Sequence, residues 1–188
     1  MEIDKETKLF LLKLARKAIE QQFNPTIELP KPDYDKYPLL KSQAGAFVTI
    51  NENNNLRGCI GYIIGYQPLY ETVVDAAKQA AFSDPRFPSL TKPEFDKIEI
   101  EVSILSEPFP LNGYDEIVVG KHGLILEEGG RRALLLPQVP IEHRMNKEEY
   151  LSALCQKGGF HPNLWREKQL KLSGFTATVF SEKEMGLK

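Results

Sequence analysis

In residues 97–105, KIEIEVSIL, polar and apolar side chains alternate without interruption from Lys97 to Ile104. Side chains of a β-strand point alternately to opposite faces of the sheet, so this pattern predicts a strand with one apolar and one polar face. The apolar positions are Ile98, Ile100, Val102 and Ile104. Antiparallel sheets commonly pack one face on the core and leave the other in contact with water. The pattern therefore favours an antiparallel sheet.

Other strand and helix patterns come in mixed order along the chain. One β-hairpin is predicted between residues 44–50 and 56–64 through the polar turn NENNN, and another within residues 121–137. The predicted helices cover residues 4–23, 68–83 and 147–157, and a last strand covers residues 171–182. Thr91 and Glu94 have capping-box spacing for a short turn of helix, and Asn146 and Glu149 have the same spacing at the start of helix 147–157. The small residues of helix 68–83, among them Ala77 and Ala80, predict close packing against a sheet. Without regular strand–helix alternation, this order favours an α+β fold with a mostly antiparallel sheet flanked by helices. No repeat or composition shift divides the chain, so residues 1–188 are expected to form a single domain.

Composition and charge exclude several classes of protein. Hydrophobic residues make up 41% of the 188 residues and charged residues 27%, and the formal net charge of −2 weighs against general nucleic-acid binding. No apolar run approaches the roughly 18 residues that a membrane span requires. The first residues lack the order of a signal peptide, and two cysteines are too few for a disulfide framework. We therefore expect a cytoplasmic protein.

Metal and cofactor motifs are not found in the sequence. The three histidines, His122, His143 and His161, are scattered and lack the spacing of a zinc site. No glycine-rich phosphate loop or dinucleotide fingerprint occurs, so no metal and no cofactor are predicted. His143 and His161 are interpreted as structural or exposed, and Cys155, at the apolar spacing of its helix, as a core residue.

The hexapeptide LRGCIG, residues 56–61, carries the most suggestive chemistry. In a strand Arg57 and Cys59 share a face, where a guanidinium stabilises a neighbouring thiolate. Cys59 is then a candidate nucleophile, and Arg57 a candidate anchor for a carboxylate or phosphate. The alternative is that Cys59 is a small buried hydrophobe and Arg57 a structural ion-pair partner. Spacing alone favours this alternative, because free cysteine is among the most buried residue types.

The glycines of this hexapeptide also need an explanation. Glycine weakens a strand interior, and one reason to keep it is close approach by another backbone or by a ligand. Gly61 shares the face of Arg57 and Cys59 without adding bulk. Gly58 lies between Leu56 and Ile60, which are expected to point into the core.

Beyond LRGCIG, several motifs along the chain resemble those of the AMMECR domain family. They are GAFVTI, AAFSDPRFPSL, IEVSIL, GKHGLIL, LLPQV and LCQKGG, in the family's order. The resemblance covers nearly the whole chain and implies a two-lobed α+β fold, with a cleft lined by the LRGCIG strand. It implies no known reaction. It does imply association with a Memo-like protein, similar to extradiol dioxygenases, and with a radical-SAM enzyme.

The matching motifs supply candidate site residues one by one. They are Arg57, Gly58, Cys59, Gly61, Asp84, Arg86, Phe87, Pro88, Glu101, His122, Gly123 and Gln138. Cys59 and His122 are the candidates for catalysis. The candidates for ligand binding are Arg57, Gly58, Gly61, Arg86, Glu101 and Gln138. Tyr62 departs from the family pattern, in which many members carry a small or hydroxyl residue after GCIG.

Three of these candidates have a structural alternative. His122 is either a general base for Cys59 or a turn residue whose imidazole caps a backbone carbonyl. Arg86, between two prolines, either binds a ligand from a rigid turn or caps the carbonyls at the end of the preceding helix. Glu101 is either solvated or paired with Arg57 or Arg86, and pairing is slightly favoured because an unpaired buried charge is costly.

Two functional hypotheses follow. The first is an enzyme or enzyme component that holds a small anionic ligand through Arg57 and Arg86, with Cys59 as nucleophile or proton donor. The second is a non-catalytic scaffold for the Memo-like and radical-SAM proteins. The sequence makes no prediction of the oligomeric state.

Overall fold

The computed structural model describes residues 2–188, which form eight strands and six α-helices. The helices are α1 (Lys5–Phe23), α2 (Leu69–Phe82), α3 (Lys92–Phe95), α4 (Val139–Glu142), α5 (Lys147–Lys157) and α6 (Leu164–Glu167). The strands are β1 (Ala46–Glu52), β2 (Asn55–Tyr62), β3 (Glu99–Leu105), β4 (Phe109–Leu111), β5 (Gly123–Glu128), β6 (Arg131–Leu135), β7 (Leu172–Phe175) and β8 (Ala177–Ser181). Two single turns of 3₁₀ helix, Pro38–Lys41 and Tyr114–Glu116, complete the secondary structure of this range.

The strands form two four-stranded sheets, with orders β2-β1-β3-β8 and β4-β7-β5-β6. The β1–β2, β1–β3, β4–β7, β5–β6 and β5–β7 pairs are antiparallel. The predicted α+β class is confirmed, and so are both predicted hairpins. Among the helices of residues 2–188, none combines the length and the apolar character needed to cross a membrane.

One compact unit comprises residues 2–105 and 178–188. Helices α1 and α2 pack on each other, α2 contacts β1 and β2, and α1 contacts β3. The predicted apolar positions of residues 97–105 are fully buried in this core, at 0% exposure. α2 contributes mainly small buried residues, among them Ala76, Ala77 and Ala80, so its backbone lies close to the sheet.

The other compact unit comprises residues 106–177. Helix α5 packs on β5 and β6. Its buried residues are Tyr150, Leu151, Leu154 and Cys155, which confirms the core position predicted for Cys155. The helix begins at Asn146, whose side chain and that of Glu149 form the predicted capping box.

The prediction of one continuous last strand is wrong. Residues 171–182 contain β7 and β8, which belong to different sheets. Thr176 separates them. Its amide donates to the Ser106 hydroxyl and its carbonyl accepts from the Ser106 amide. Alternation alone gives no sign of this break, because both halves read as strand.

The prediction that Leu56 points into the core is also wrong, since Leu56 is 43% exposed. The register of β1 against β2 shifts here: Ile50 pairs with Gly58, whereas Asn51 pairs with Leu56. A β-bulge therefore leaves Arg57 without a partner in β1. The bulge removes Leu56 from the strict alternation that places Ile60 against the core.

Gly58 is explained by the close approach of α2. A Cβ atom at this position would lie 2.1 Å from the carbonyl oxygen of Ala80. At Gly61 it would lie 2.3 Å from the carbonyl oxygen of Ala46, in the neighbouring strand. Of the two reasons given for these glycines, the structure supplies close backbone contact.

We expect Gly58→Ala to destabilise the protein by about 2 kcal/mol or more, because the new methyl group meets backbone that cannot rotate away. In an open strand the same change would stabilise by roughly 0.5–1 kcal/mol. Urea denaturation measures the difference. Gly113→Ala is the control, because its Cβ would meet only the Asp115 side chain. Equal stability of Gly58→Ala and the wild type would contradict the close approach.

Candidate functional site

Cys59 lies in β2, at one edge of its sheet, and its backbone is bound by two side chains. The Cys59 amide donates to Oδ2 of Asp84 at 2.9 Å. The Cys59 carbonyl accepts from Nη2 of Arg86 at 3.1 Å. The Asp84 carboxylate therefore accepts, and the Arg86 guanidinium donates, the two hydrogen bonds that a further strand would form with Cys59 at this edge.

The loop after α2 holds these two side chains together. Asp84 accepts from the Arg86 amide at 3.1 Å, from Nε at 3.0 Å and from Nη2 at 2.7 Å. The Asp84 side chain is 2% exposed, so its charge requires these partners. The hydrogen bonds from Arg86 hold the pKa of Asp84 well below its usual range, although burial acts in the opposite direction.

Arg86 was predicted either to bind a ligand or to cap the end of α2. Its hydrogen bonds go to Asp84 and Cys59 rather than to the carbonyls at the end of α2, and its role in ligand binding stays a prediction. The Phe82 carbonyl at the end of α2 accepts from the Ser89 hydroxyl at 3.2 Å. The Arg86 side chain is 53% exposed, so part of its guanidinium faces water.

Arg57 forms a second ion pair, with Glu94 in the first turn of α3. Nε lies 2.9 Å from Oε1 and Nη2 lies 3.3 Å from Oε2. Glu94 also accepts from the amide and the hydroxyl of Thr91, both at 2.7 Å, in the predicted capping box. The hydrogen bonds from Arg57, and then those from Thr91, lower the pKa of Glu94 to about 2.

The Phe87 ring lies near the guanidinium groups of both ion pairs. The guanidinium carbon of Arg57 lies 5.9 Å from the centre of its ring, and that of Arg86 lies 5.5 Å from it. Cations at this distance are attracted to an aromatic face. Arg57 and Arg86 therefore lie near one ring, and Arg86 also binds the Cys59 carbonyl, but each guanidinium already has a carboxylate partner. Those partners are Glu94 and Asp84.

The Cys59 thiol is half-buried and lies beside a hydroxyl. The Thr49 hydroxyl donates to Sγ at 3.3 Å. Thr49 pairs with Cys59 in β2 and with Glu101 in β3, so the three residues form a row across neighbouring strands. Sequence reasoning missed Thr49, because only the β-bulge at Arg57 places it directly opposite Cys59.

His122 and Gln138 lie in the unit of residues 106–177, whereas Cys59 belongs to the other unit. Nδ1 of His122 accepts from the Val118 amide at 3.3 Å, and its ring meets Phe109 edge to face at 5.3 Å. The Gln138 carbonyl accepts from the amides of Ile141 and Glu142 in α4. His122 is thus a turn residue, although it binds an amide rather than a carbonyl. Its role as a base for Cys59 stays a prediction.

His143 and His161 are exposed, as predicted. Within residues 2–188, no three histidine, cysteine, aspartate or glutamate side chains lie together in a way that would hold a metal ion.

The Arg57–Glu94 pair is expected to make stability depend on pH. Glu94 has a pKa of about 2 in the fold and 4.5 ordinarily, so its stabilising effect is complete above about pH 4.5 and is lost as the pH falls toward 2. Glu94→Gln should remove about 2 kcal/mol of this pH-dependent stability. Urea denaturation across that range measures it, with the exposed Glu28→Gln as control. An unchanged pH profile in Glu94→Gln would contradict the pairing.

Comparison with known proteins agrees with the motif resemblance. A protein of Thermococcus onnurineus (strain NA1) is 43% identical over 185 residues, covering 92% of this chain and 89% of that protein. Protein PH0010 of Pyrococcus horikoshii is 41% identical over 183 residues, covering 92% and 88%. The crystal structure of PH0010, described as an uncharacterized protein, has a TM-score of 0.82 and 39% identity in the structural alignment, covering 97% of this chain and 95% of that one. A family model described as AMMECR1 matches residues 12–180, and this chain therefore belongs to the AMMECR1 family.

Proposed function

We propose that the protein binds a small anionic ligand, or an anionic group on a partner segment, beside Cys59, and that the Cys59 thiol is the reactive group there. Arg86 receives the anion, and Thr49 and Glu101 lie in the same row as the thiol. The single observation that carries this proposal is the pair of hydrogen bonds from the Cys59 amide to Asp84 and from Arg86 to the Cys59 carbonyl. We call this pair the Cys59 clamp, and it gives a half-buried thiol one fixed position.

The hydrogen bonds of Arg86 support its role as the anion receptor. Its Nε and Nη2 atoms are bound to Asp84 and Cys59, whereas Nη1 donates no hydrogen bond within the described residues 2–188. A guanidinium has five N–H donors in a fixed plane, so two donors of Arg86 remain for a carboxylate or phosphate. The ion pair with Asp84 holds the guanidinium in place in advance, which lowers the entropy lost on binding.

The surroundings of the thiol support its reactivity. The Thr49 hydroxyl donates to Sγ, and the Arg86 guanidinium lies on the carbonyl of the same residue. Both groups hold the sulfur or the backbone that carries it, and a nucleophile fixed in one position is better placed to react. As nucleophile, the sulfur would form a bond to an electrophilic carbon while a leaving group departs. As proton donor, it would protonate a bound anion.

The physiological setting is part of the proposal. Both cysteines are free thiols, which fits a cytoplasmic protein. The family resemblance suggests a pathway shared with Memo-like and radical-SAM proteins. A scaffold for those proteins is the second candidate function. It is favoured by the fact that Arg57 and Arg86 are already paired with carboxylates, and that Gly58 and Gly61 are explained by packing.

Alkylation of native protein by iodoacetamide at neutral pH tests the reactive thiol. In a Cys155→Ser background, Cys59 should react several times faster than in the urea-unfolded chain, because Thr49 and Arg86 hold Cys59 in a fixed position. Thr49→Val should slow the native reaction by about two- to tenfold, as expected for the loss of one hydrogen bond. Mass spectrometry of the modified peptide gives both rates.

The controls separate the two candidate functions. Cys155, at 0% exposure, should stay unmodified in the native wild type. A native Cys59 that reacts no faster than the unfolded thiol refutes the reactive-thiol proposal. Co-purification with a Memo-like or radical-SAM protein that is unaffected by Cys59→Ser would then favour the scaffold.

A further inference from the structure

Two adjoining cavities lie along the exposed side of α2 and the end of β2, in residues that the Cys59 site does not use. Their volumes are about 170 Å³ and about 400 Å³. Gln67 and Asp75 line both of them. The other lining residues are Tyr62, Tyr66, Tyr70, Glu71, Thr72, Val74 and Lys78. We call this pair of cavities the α2 groove.

Glu71 lines the larger cavity of the α2 groove and carries an unpaired carboxylate oxygen. Its Oε2 atom is buried and has no hydrogen-bond partner in the described part of the chain, residues 2–188. Burying a carboxylate oxygen without a donor is costly, and native structures rarely leave one so. An N–H donor or a cation entering the larger cavity would satisfy it.

A second carboxylate lies one helical turn further on. The Tyr62 hydroxyl donates to Oδ2 of Asp75, and this hydrogen bond raises the pKa of Tyr62. A carboxylate offers about four lone-pair positions, so Asp75 can accept from a ligand as well. Glu71 and Asp75 stand at i and i+4, which places their Cβ atoms roughly 5–6 Å apart on one face of the helix.

The remaining walls suit an organic cation. Tyr66 is 82% exposed, which is unusual for an aromatic side chain and leaves its face open to a ligand. Tyr62 and Tyr70 add two further phenol rings. The cationic residue that lines the groove is Lys78, and its Nζ donates a hydrogen bond to Oε1 of Gln21 at 3.0 Å. The side chains that line the α2 groove thus include two carboxylates and one lysine.

We propose that the α2 groove binds an aliphatic diamine, one ammonium group on Glu71 and the other on Asp75. In 1,4-diaminobutane the two nitrogens can match carboxylates separated by one helical turn, and the methylene chain can lie on the tyrosine rings. A charge-assisted hydrogen bond to Glu71 removes the cost of its unpaired oxygen. This site is separate from Cys59 and does not depend on the function proposed for that thiol.

Titration with 1,4-diaminobutane, followed through the backbone amide signals of residues 66–78 in ¹⁵N-labelled protein, tests the proposal. The expected result is a saturable shift confined to these residues, at constant ionic strength. Glu71→Gln and Asp75→Asn should each weaken binding by at least about tenfold, since each removes one charge-assisted hydrogen bond. Tyr66→Leu should weaken it about threefold or more, whereas Tyr66→Phe retains the ring and the affinity.

Two controls keep the result specific. The diol 1,4-butanediol has the same length and no charge, and should give no saturable shift. Glu184→Gln removes an exposed carboxylate of the same unit outside the groove and should leave the affinity unchanged. The proposal is overturned if the diamine gives no saturable shift, if the diol matches it, or if Glu184→Gln weakens binding as much as Glu71→Gln. The intact amide spectrum of residues outside the groove verifies that each variant is folded.

Discussion

One buried carboxylate, that of Asp84, holds the edge of the first sheet to the loop that follows α2. It accepts hydrogen bonds from the Cys59 amide and from the Arg86 amide and guanidinium. An ionised carboxylate at 2% exposure is tolerated only with such partners. Moving any one of these partners away would leave the buried charge of Asp84 uncompensated, so each partner stays in its position. The place of the Cys59 thiol follows from this arrangement.

Further contacts hold the strand of Cys59 in place, some through Arg57 and Phe87 and others through Gly58. Glu94 fixes Arg57 at the bulge of β2, and Phe87 lies against the guanidinium groups of both Arg57 and Arg86. Gly58 lets the Ala80 carbonyl of α2 lie directly on the strand. The residues of LRGCIG therefore serve packing first, and the chemistry proposed for Cys59 depends on the rigidity that this packing gives.

Local patterns were sufficient for most of the fold. Alternation predicted β3, the capping residues placed the starts of α3 and α5, and the small residues of α2 predicted its close contact with the sheet. The errors arose where a long-range partner decides the outcome. The bulge that exposes Leu56 and the break at Thr176 depend on strand register. Likewise, Glu94 was recognised as a capping residue, but no sequence pattern connects it with Arg57, which lies 37 positions away.

Hydrogen exchange of the Cys59 amide tests the central claim most directly, because a side chain rather than another strand protects it. We predict slow exchange in the wild type, and in Asp84→Ala a selective loss of protection at Cys59 while Ile60, in the body of the hairpin, remains protected. A wild-type Cys59 amide that exchanges as fast as an unstructured peptide would contradict the Cys59 clamp, and with it the fixed position of the thiol.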